Sequence, residues 1–462
     1  MSAATDAALG GKQSSSWLTK WTPEDEGFWK ETGSKVAWRT LTLTTITLVL
    51  SFATWFVVSA LVVRLPGIGF KFSEMELFWL AAMPGLAGGT LRIIHTFLIP
   101  IFGTRSVVSV ATLIKVIPCV GLAYAMTTPT TPYWVFLVLA FLAGMGGGDF
   151  SSYMPSTSLF FPKKLQGAAL GIQAGVGNFG VSLTQFVTPW VISFAAFGGI
   201  AGAPQVFTKG GKTSDIWLQN AVVWYVPLLV VLAILCWIWL RSVPVRASFR
   251  EQLDIFKDKH TWFCTVTYVM TFGSFSGFSA AFPLMIKSLY GGFPNAPDPL
   301  KYAFYGPLIG SASRVLFGFV ADKVGGGILT QISGFGLIVI AAILVGTGAV
   351  APTSLDSFGL FVGLMLALFF FTGMGNASTF RQYPVIFSHN PRQGAQVLGW
   401  TGAVAAYGPL LFSTAIGAAI SSSSASGVKS AGAFFVGAIV FYMISVGLNW
   451  FYYVRKGCER PS

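Results

Sequence analysis

The sequence predicts an all-α polytopic membrane protein: twelve transmembrane helices arranged as two pseudosymmetric six-helix bundles. Three observations carry that expectation. Only 10% of the 462 residues are charged and 54% are hydrophobic, whereas a soluble chain carries roughly 25% charge. Apolar runs long enough to cross a bilayer, about 20 residues each, recur along the whole chain. The second half repeats motifs of the first, in the same order.

The apolar runs lie near 40–62, 77–101, 106–127, 133–160, 167–194, 217–240, 261–288, 301–321, 327–350, 357–387, 395–420 and 431–454. Each must be a helix, because in lipid only a helix satisfies its own backbone N–H and C=O groups without an edge. The first 38 residues are polar and mixed in charge, with no apolar core, so no cleaved signal peptide is expected. The expected organisation is a polar leader at 1–38, an N-terminal bundle at 39–241, a linker at 242–260, a C-terminal bundle at 261–455 and a tail at 456–462.

The net charge is +13, and its distribution sets the orientation. Eighteen Lys and Arg fall on the side of the leader and linker and seven on the other, the richest loop being RSVPVRASFREQLDIFKDKH at 241–260. The positive-inside rule then puts both termini in the cytoplasm. No basic run is long or interleaved with aromatics, so nucleic acid is not an expected partner. Cys119, Cys236, Cys264 and Cys458 show no metal or redox spacing and read as small packing residues. With no nucleophile, metal-ligand or cofactor constellation, neither an enzyme nor a cofactor or metal is expected.

The repeat is explicit. GLAGGTLR (85–92) and PLIGSASR (307–314) both end in arginine, and a glycine follows eleven residues later in each, Gly103 and Gly325. GMG at 144–146 recurs at 373–375, and QGA at 166–168 recurs at 393–395. One six-helix unit is used twice, which is the parallel-repeat plan of the major facilitator fold. GFVADKVGG (318–326) resembles the loop signature of that superfamily, with Asp322 expected to cap the next helix and Lys323 to anchor the inner side.

Depth follows from helical rise. Eleven residues at about 1.5 Å each span about 16 Å, half of a hydrocarbon core about 30 Å thick. Arg92 and Arg314 therefore lie at midplane, where an arginine costs at least about 2.5–3.5 kcal/mol and faces a cavity or partner. Lys115 and Arg381 also fall within the apolar runs, against a single acid, Asp149. One carboxylate cannot neutralise four cations, so the two arginines are expected to hold an anion. Guanidinium offers planar paired donors. Two such forks suit a small flat monoanion such as nitrate, nitrite or a small carboxylate better than sulfate or phosphate. Phe52, Phe150 and Phe272 are candidates for the cavity wall. Gly144, Gly146, Gly175, Gly177, Gly180 and Gly402 lie inside helices, where glycine marks close helix contact. Among these glycines stands one amide, Asn178, able to donate to the anion.

Several long stretches resemble the nitrate/nitrite porter family: GGTLRIIHTF with PIFG, GGGDFSSYMPSTSLFFPKKLQGAALGIQAGVGNFGVS, YVMTFGSFSGFSAAF, GPLIGSASRVLFGFVADKVGG and GMGNASTFRQYPVIF. The leader KWTPEDEGFWKETGSKVAWR is similar to that of bacterial NarK-type members, and the likeness covers essentially the whole chain. It implies a twelve-helix transporter of nitrate and nitrite, a monomer in the lipid of a bacterial cytoplasmic membrane. It further implies that the anion is clamped by Arg92 and Arg314, assisted by Asn178 and Tyr268, between walls at Phe52, Phe150 and Phe272. The chain departs from the family pattern at Asp149, where asparagine is usual, and at Lys115.

Family members divide between exchangers and proton symporters. Exchange needs no titratable group; symport needs one, and Asp149, Lys115, Arg381 and His95 are the candidates for coupling. Asp149 is alternatively a fixed partner for Lys115, and His95 a packed imidazole. Exchange is the expectation and proton symport the alternative. A channel or nitrate sensor fits less well, because the polar groups cluster at one depth rather than lining a continuous pore.

Overall fold

The structure, a computed structural model, describes residues 17–243 and 250–462. Among the described residues ten helical stretches are long and apolar enough to cross a membrane, and two local features make them twelve spans. Glu74–Thr127 turns a corner at Gly103, whose φ of 76° is left-handed, so it comprises α2 (74–102) and α3 (104–127). Lys163–Val191, α5, is 29 residues long with its apolar character diluted by glycine, Gln and Asn. The others are α1 (Glu26–Leu61), α4 (Tyr133–Phe160), α6 (Asn220–Trp239), α7 (Lys259–Tyr290), α8 (Leu300–Val324), α9 (Gly326–Gly346), α10 (Phe358–Ile386), α11 (391–423, bent at 406–407) and α12 (Gly432–Val454). Gly325, with φ 98°, makes between α8 and α9 the corner that Gly103 makes between α2 and α3. Only glycine adopts that conformation without Cβ strain.

The corner corrects one expectation. Asp322 does not cap α9, whose start at Gly325 has no side-chain cap. It stays inside α8, three residues before the corner, and reaches sideways to Arg381 on α10 at 2.9 Å.

The two bundles meet where α2 packs on α11 and α5 on α8. A Cβ built at Gly146 would lie 2.1 Å from the Ser51 carbonyl oxygen, at Gly180 2.1 Å from that of Val49, and at Gly144 2.4 Å from that of Pro84. Gly177 presses on Leu48, and Gly175 on Val315 across the bundle interface. Gly402 differs: its nearest neighbour would be Arg92 Nη1 at 3.6 Å, ordinary contact.

Two elements were not foreseen. Helix α1 starts at Glu26, inside the stretch read as leader, because Asp25 Oδ1 accepts the backbone N–H groups of Gly27 and Phe28 as an N-cap. Between α5 and α6, β1 (Gln205–Lys209) pairs antiparallel with β2 (Lys212–Ile216). Gly210 and Gly211 both have positive φ, as a tight type I′ turn requires.

The hairpin lies on the face opposite the termini, and on that hairpin face polar contacts tie one bundle to the other. Arg64 pairs with Asp298 at 2.6 Å and Lys429 with Glu74 at 2.8 Å. Lys287 Nζ donates to the Val63 carbonyl, and Arg64 sits over the Phe207 ring of β1. Among the described residues of the terminal face, ion pairs such as Lys164–Glu26 and Lys259–Glu459 join residues of one half.

Candidate anion site

Helix α4 loosens where glycines crowd it. It is interrupted at Gly144 and Asp149, with the tighter three-residue bonds Gly144 N–H to Phe141 and Gly147 N–H to Gly144. A glycine carbonyl there is within reach of a neighbour. Arg92 on α2 takes it: Nε donates to the Gly147 oxygen at 2.8 Å, and Nη1 donates to the Gly402 oxygen on α11 at 2.6 Å. Its partners are thus two glycine carbonyls, one from each bundle, and no acid. The guanidinium carbon lies 4.7 Å from the Phe150 centroid, 5.1 Å from Phe272 and 5.4 Å from Trp55. Arg92 is fully buried, and its Nη2 has no hydrogen-bond partner.

Arg314 on α8 lies 4.8 Å from the Phe380 centroid, and neither Nη1 nor Nη2 has a partner. The two guanidiniums act electrostatically on each other and on the Tyr268 hydroxyl. Tyr268 is buried with no hydrogen bond of ordinary geometry at its hydroxyl, although Arg314 stands close enough to bias it, and it stacks on Phe272 at 5.5 Å and lies 5.6 Å from Phe380. Asn178 is buried with both amide atoms unpartnered. It lies one turn along α5 from the contact of Gly175 with Val315, the residue after Arg314. Phe52 stacks on Phe150 at 6.2 Å, and Phe150 meets Phe380 edge-on across the bundles at 6.2 Å.

Beside this site Lys115 and Asp149 form an ion pair of 2.5 Å, each 1% exposed. His95, one turn beyond Arg92, is buried against Ser152 and Asp149. Arg381 is not with them. It is 44% exposed and pairs with Asp322, because it lies five residues from the terminal-face end of α10. The excess of buried cations is therefore smaller than the sequence count suggested, and it resides in Arg92 and Arg314.

Sequence reading missed Asn376 and Phe380. Asn376 on α10 is buried with both amide atoms unpartnered, one turn from the contact of Gly373 with the Gly310 carbonyl. The signal was in the repeat. GMGGGDF and GMGNASTF end in Phe150 and Phe380, the rings over which the two guanidiniums lie.

Two bundles of one repeated unit, meeting around buried cations contributed by both, have the architecture of a secondary transporter. The Major Facilitator Superfamily family model matches residues 43–413. Solved structures share the fold: a bacterial homolog of the human lysosomal transporter Spinster (TM-score 0.64, 16% identity, 90% of this chain and 96% of that one). The nucleoside transporter NupG gives a TM-score of 0.61 at 11% identity, over 89% of this chain and 98% of that one. Sequence relatives are nearer. The probable nitrate/nitrite antiporter NarK2 of Thermus thermophilus is 60% identical over 96% of this chain and 98% of its own. The nitrate/nitrite transporter NarU of Escherichia coli is 36% identical over 97% and 99%. The chain belongs to the NarK-type nitrate/nitrite porter family of the major facilitator superfamily.

Proposed function

We propose that the protein carries nitrate and nitrite across a bacterial cytoplasmic membrane by exchange. The anion is held between Arg92 and Arg314 while the two bundles alternate, with both termini cytoplasmic and the monomer as the working unit. One observation carries the reading. Two guanidiniums at equivalent places in the repeat keep N–H groups without acceptors, Nη2 of Arg92 and both Nη of Arg314, deep among aromatic rings. Asn178, Asn376 and Tyr268 add polar groups equally without partners.

Charge balance names the ligand. Asp149 is matched by Lys115 and Asp322 by Arg381, which leaves two positive charges for a flat monoanion to share through paired N–H donors. Low polarity around the site strengthens that attraction. Exchange follows from the same balance: an unloaded doubly positive site resists crossing the bilayer centre, so each passage requires an anion. The salt-bridged Asp149 supports exchange over symport, since its charge is already satisfied.

The test is counterflow of labelled nitrate into proteoliposomes. Internal nitrite should drive uptake with no pH gradient. Uptake that needs a pH gradient and ignores internal nitrite would establish the symport reading instead.

A further inference from the structure

Beside the arginines lies a charged cluster that anion binding does not use. Asp149 Oδ2 is fully engaged, by Lys115 Nζ at 2.5 Å and the Ser51 hydroxyl at 2.6 Å. Its other oxygen, Oδ1, is buried with no hydrogen bond. The group facing that oxygen is His95, whose Nδ1 stands 3.8 Å away and 3.0 Å from Ser152 Oγ. The charged groups acting on His95 are Asp149, Lys115 and Arg92. Tyr153 lies within electrostatic range of Asp149, and Cys119 and Cys236 within that of Lys115.

We infer that His95 and the unengaged oxygen of Asp149 form a proton-binding site linked to the anion site, so that nitrate binding takes up a proton. The inference rests on the arginine reading for what binds. A buried carboxylate oxygen without a donor is costly, and a protonated imidazole 3.8 Å away places a positive charge beside it. Histidine is the side chain whose ordinary titration lies between pH 5 and 8. In the unloaded protein Arg92 and Lys115 repel that proton, and Lys115 has already neutralised Asp149. An anion between the arginines cancels positive charge one turn from His95 and relieves the repulsion. Linkage is reciprocal: the anion raises the proton affinity of His95, and the proton raises anion affinity by the same factor. In an exchanger, the affinity on each face then follows the pH of that face.

The experiment is titration calorimetry of the full-length detergent-solubilised protein with nitrate, at pH 5.5, 7.0 and 8.5, in buffers of differing ionisation enthalpy. Nitrate stays unprotonated throughout, so the buffer dependence reports the protein's proton. The expected result is affinity about tenfold weaker at pH 8.5 than at pH 5.5, within the usual span of such couplings, with net proton uptake on binding within that range. His95→Gln should bind with the weak high-pH affinity at every pH. Should that variant not fold, the paired change Lys115→Leu with Asp149→Asn retains His95 without the carboxylate charge beside it, and the pH dependence should move to lower pH. Wild-type binding that is strong but indifferent to pH, or a pH profile unchanged in His95→Gln, overturns this inference alone. No nitrate binding at any pH overturns the arginine reading, and this inference with it.

Discussion

Arg92 and Arg314 hold equivalent places in the two halves, each lying over the phenylalanine that closes its glycine motif, at 4.7 Å and 4.8 Å. They are not held alike. Arg92 is pinned by two backbone carbonyls, one from each bundle, while neither Nη of Arg314 has a partner. The helix pairs behind them differ too. Between α3 and α4 stands the Lys115–Asp149 ion pair. Among α9, α10 and α12 stands a neutral web: Thr330 bonds to Ser378 and Gln382, Gln382 to Asn449, and Asn449 to Gln331. Duplication fixes where the guanidiniums lie; the partners each half acquired decide how freely they move. One half supplies an arginine anchored on two carbonyls and the other an arginine whose Nη groups are unengaged.

The largest expected effect tests that distinction. Arg92→Lys and Arg314→Lys should each cut nitrate counterflow by about 100-fold or more, since an ammonium retains charge without the planar fork. Only Arg92→Lys should also lower the melting temperature in detergent, because it alone leaves carbonyls without a donor. Near wild-type counterflow in either lysine variant would remove that arginine from the clamp.

Behind the arginines, Lys115→Leu should cost about 3–5 kcal/mol by stranding a buried carboxylate, and adding Asp149→Asn should recover most of the loss. In the other half Ser378→Ala should cost only about 1 kcal/mol, the worth of a neutral hydrogen bond. Denaturation of the three variants and the wild-type protein in matched micelles compares them. A comparable loss in Ser378→Ala would erase the contrast between the halves. The double variant should keep nitrite-driven counterflow, and its loss there would assign the pair a transport role beyond stability.

Asn178→Ala and Asn376→Ala should weaken nitrate binding about tenfold with melting unchanged, because neither amide bonds to the protein. Such a loss matches one or two hydrogen bonds to a charged group. A melting point lowered in either would show a structural partner instead. The smallest effect is expected from competitors: millimolar sulfate or phosphate should leave labelled nitrate uptake within about twofold of control, since each carries more charge than a monoanion sharing two guanidiniums. Strong sulfate inhibition would mean that the pair does not discriminate by charge.

Much of the fold was legible because bilayer thickness leaves little choice. The expected run 133–160 coincides with α4, and most other bounds differ by a few residues. The start of α1 was hidden because its first turns, WKETGSKVAWR, are polar and carry no apolar period. The hairpin was hidden in a loop whose only mark is Gly210–Gly211. Within the site, the sequence located the arginines by depth and offered Asp149 as one possible partner for Lys115, but it could not show which helix faces meet. The partners of Arg92 were beyond it altogether, since any residue has a carbonyl. Arg381 was misplaced because its distance from the end of α10 was not weighed, although the same arithmetic had placed Arg92. Asn376 carried the signal that marked Asn178, one amide among glycines, in a motif already seen to repeat.

The polar ties across the hairpin face carry a consequence for the water outside. Lys429 and Glu74 are 45% and 22% exposed, and Asp298 is 25% exposed, so dissolved ions reach both pairs. At about 0.01 M salt the Debye length is about 30 Å and these attractions act at nearly full strength; at physiological ionic strength it shrinks to about 8 Å. The medium bathing that side therefore sets how firmly the two bundles are held together there. Fresh water fastens that face, and brine loosens it.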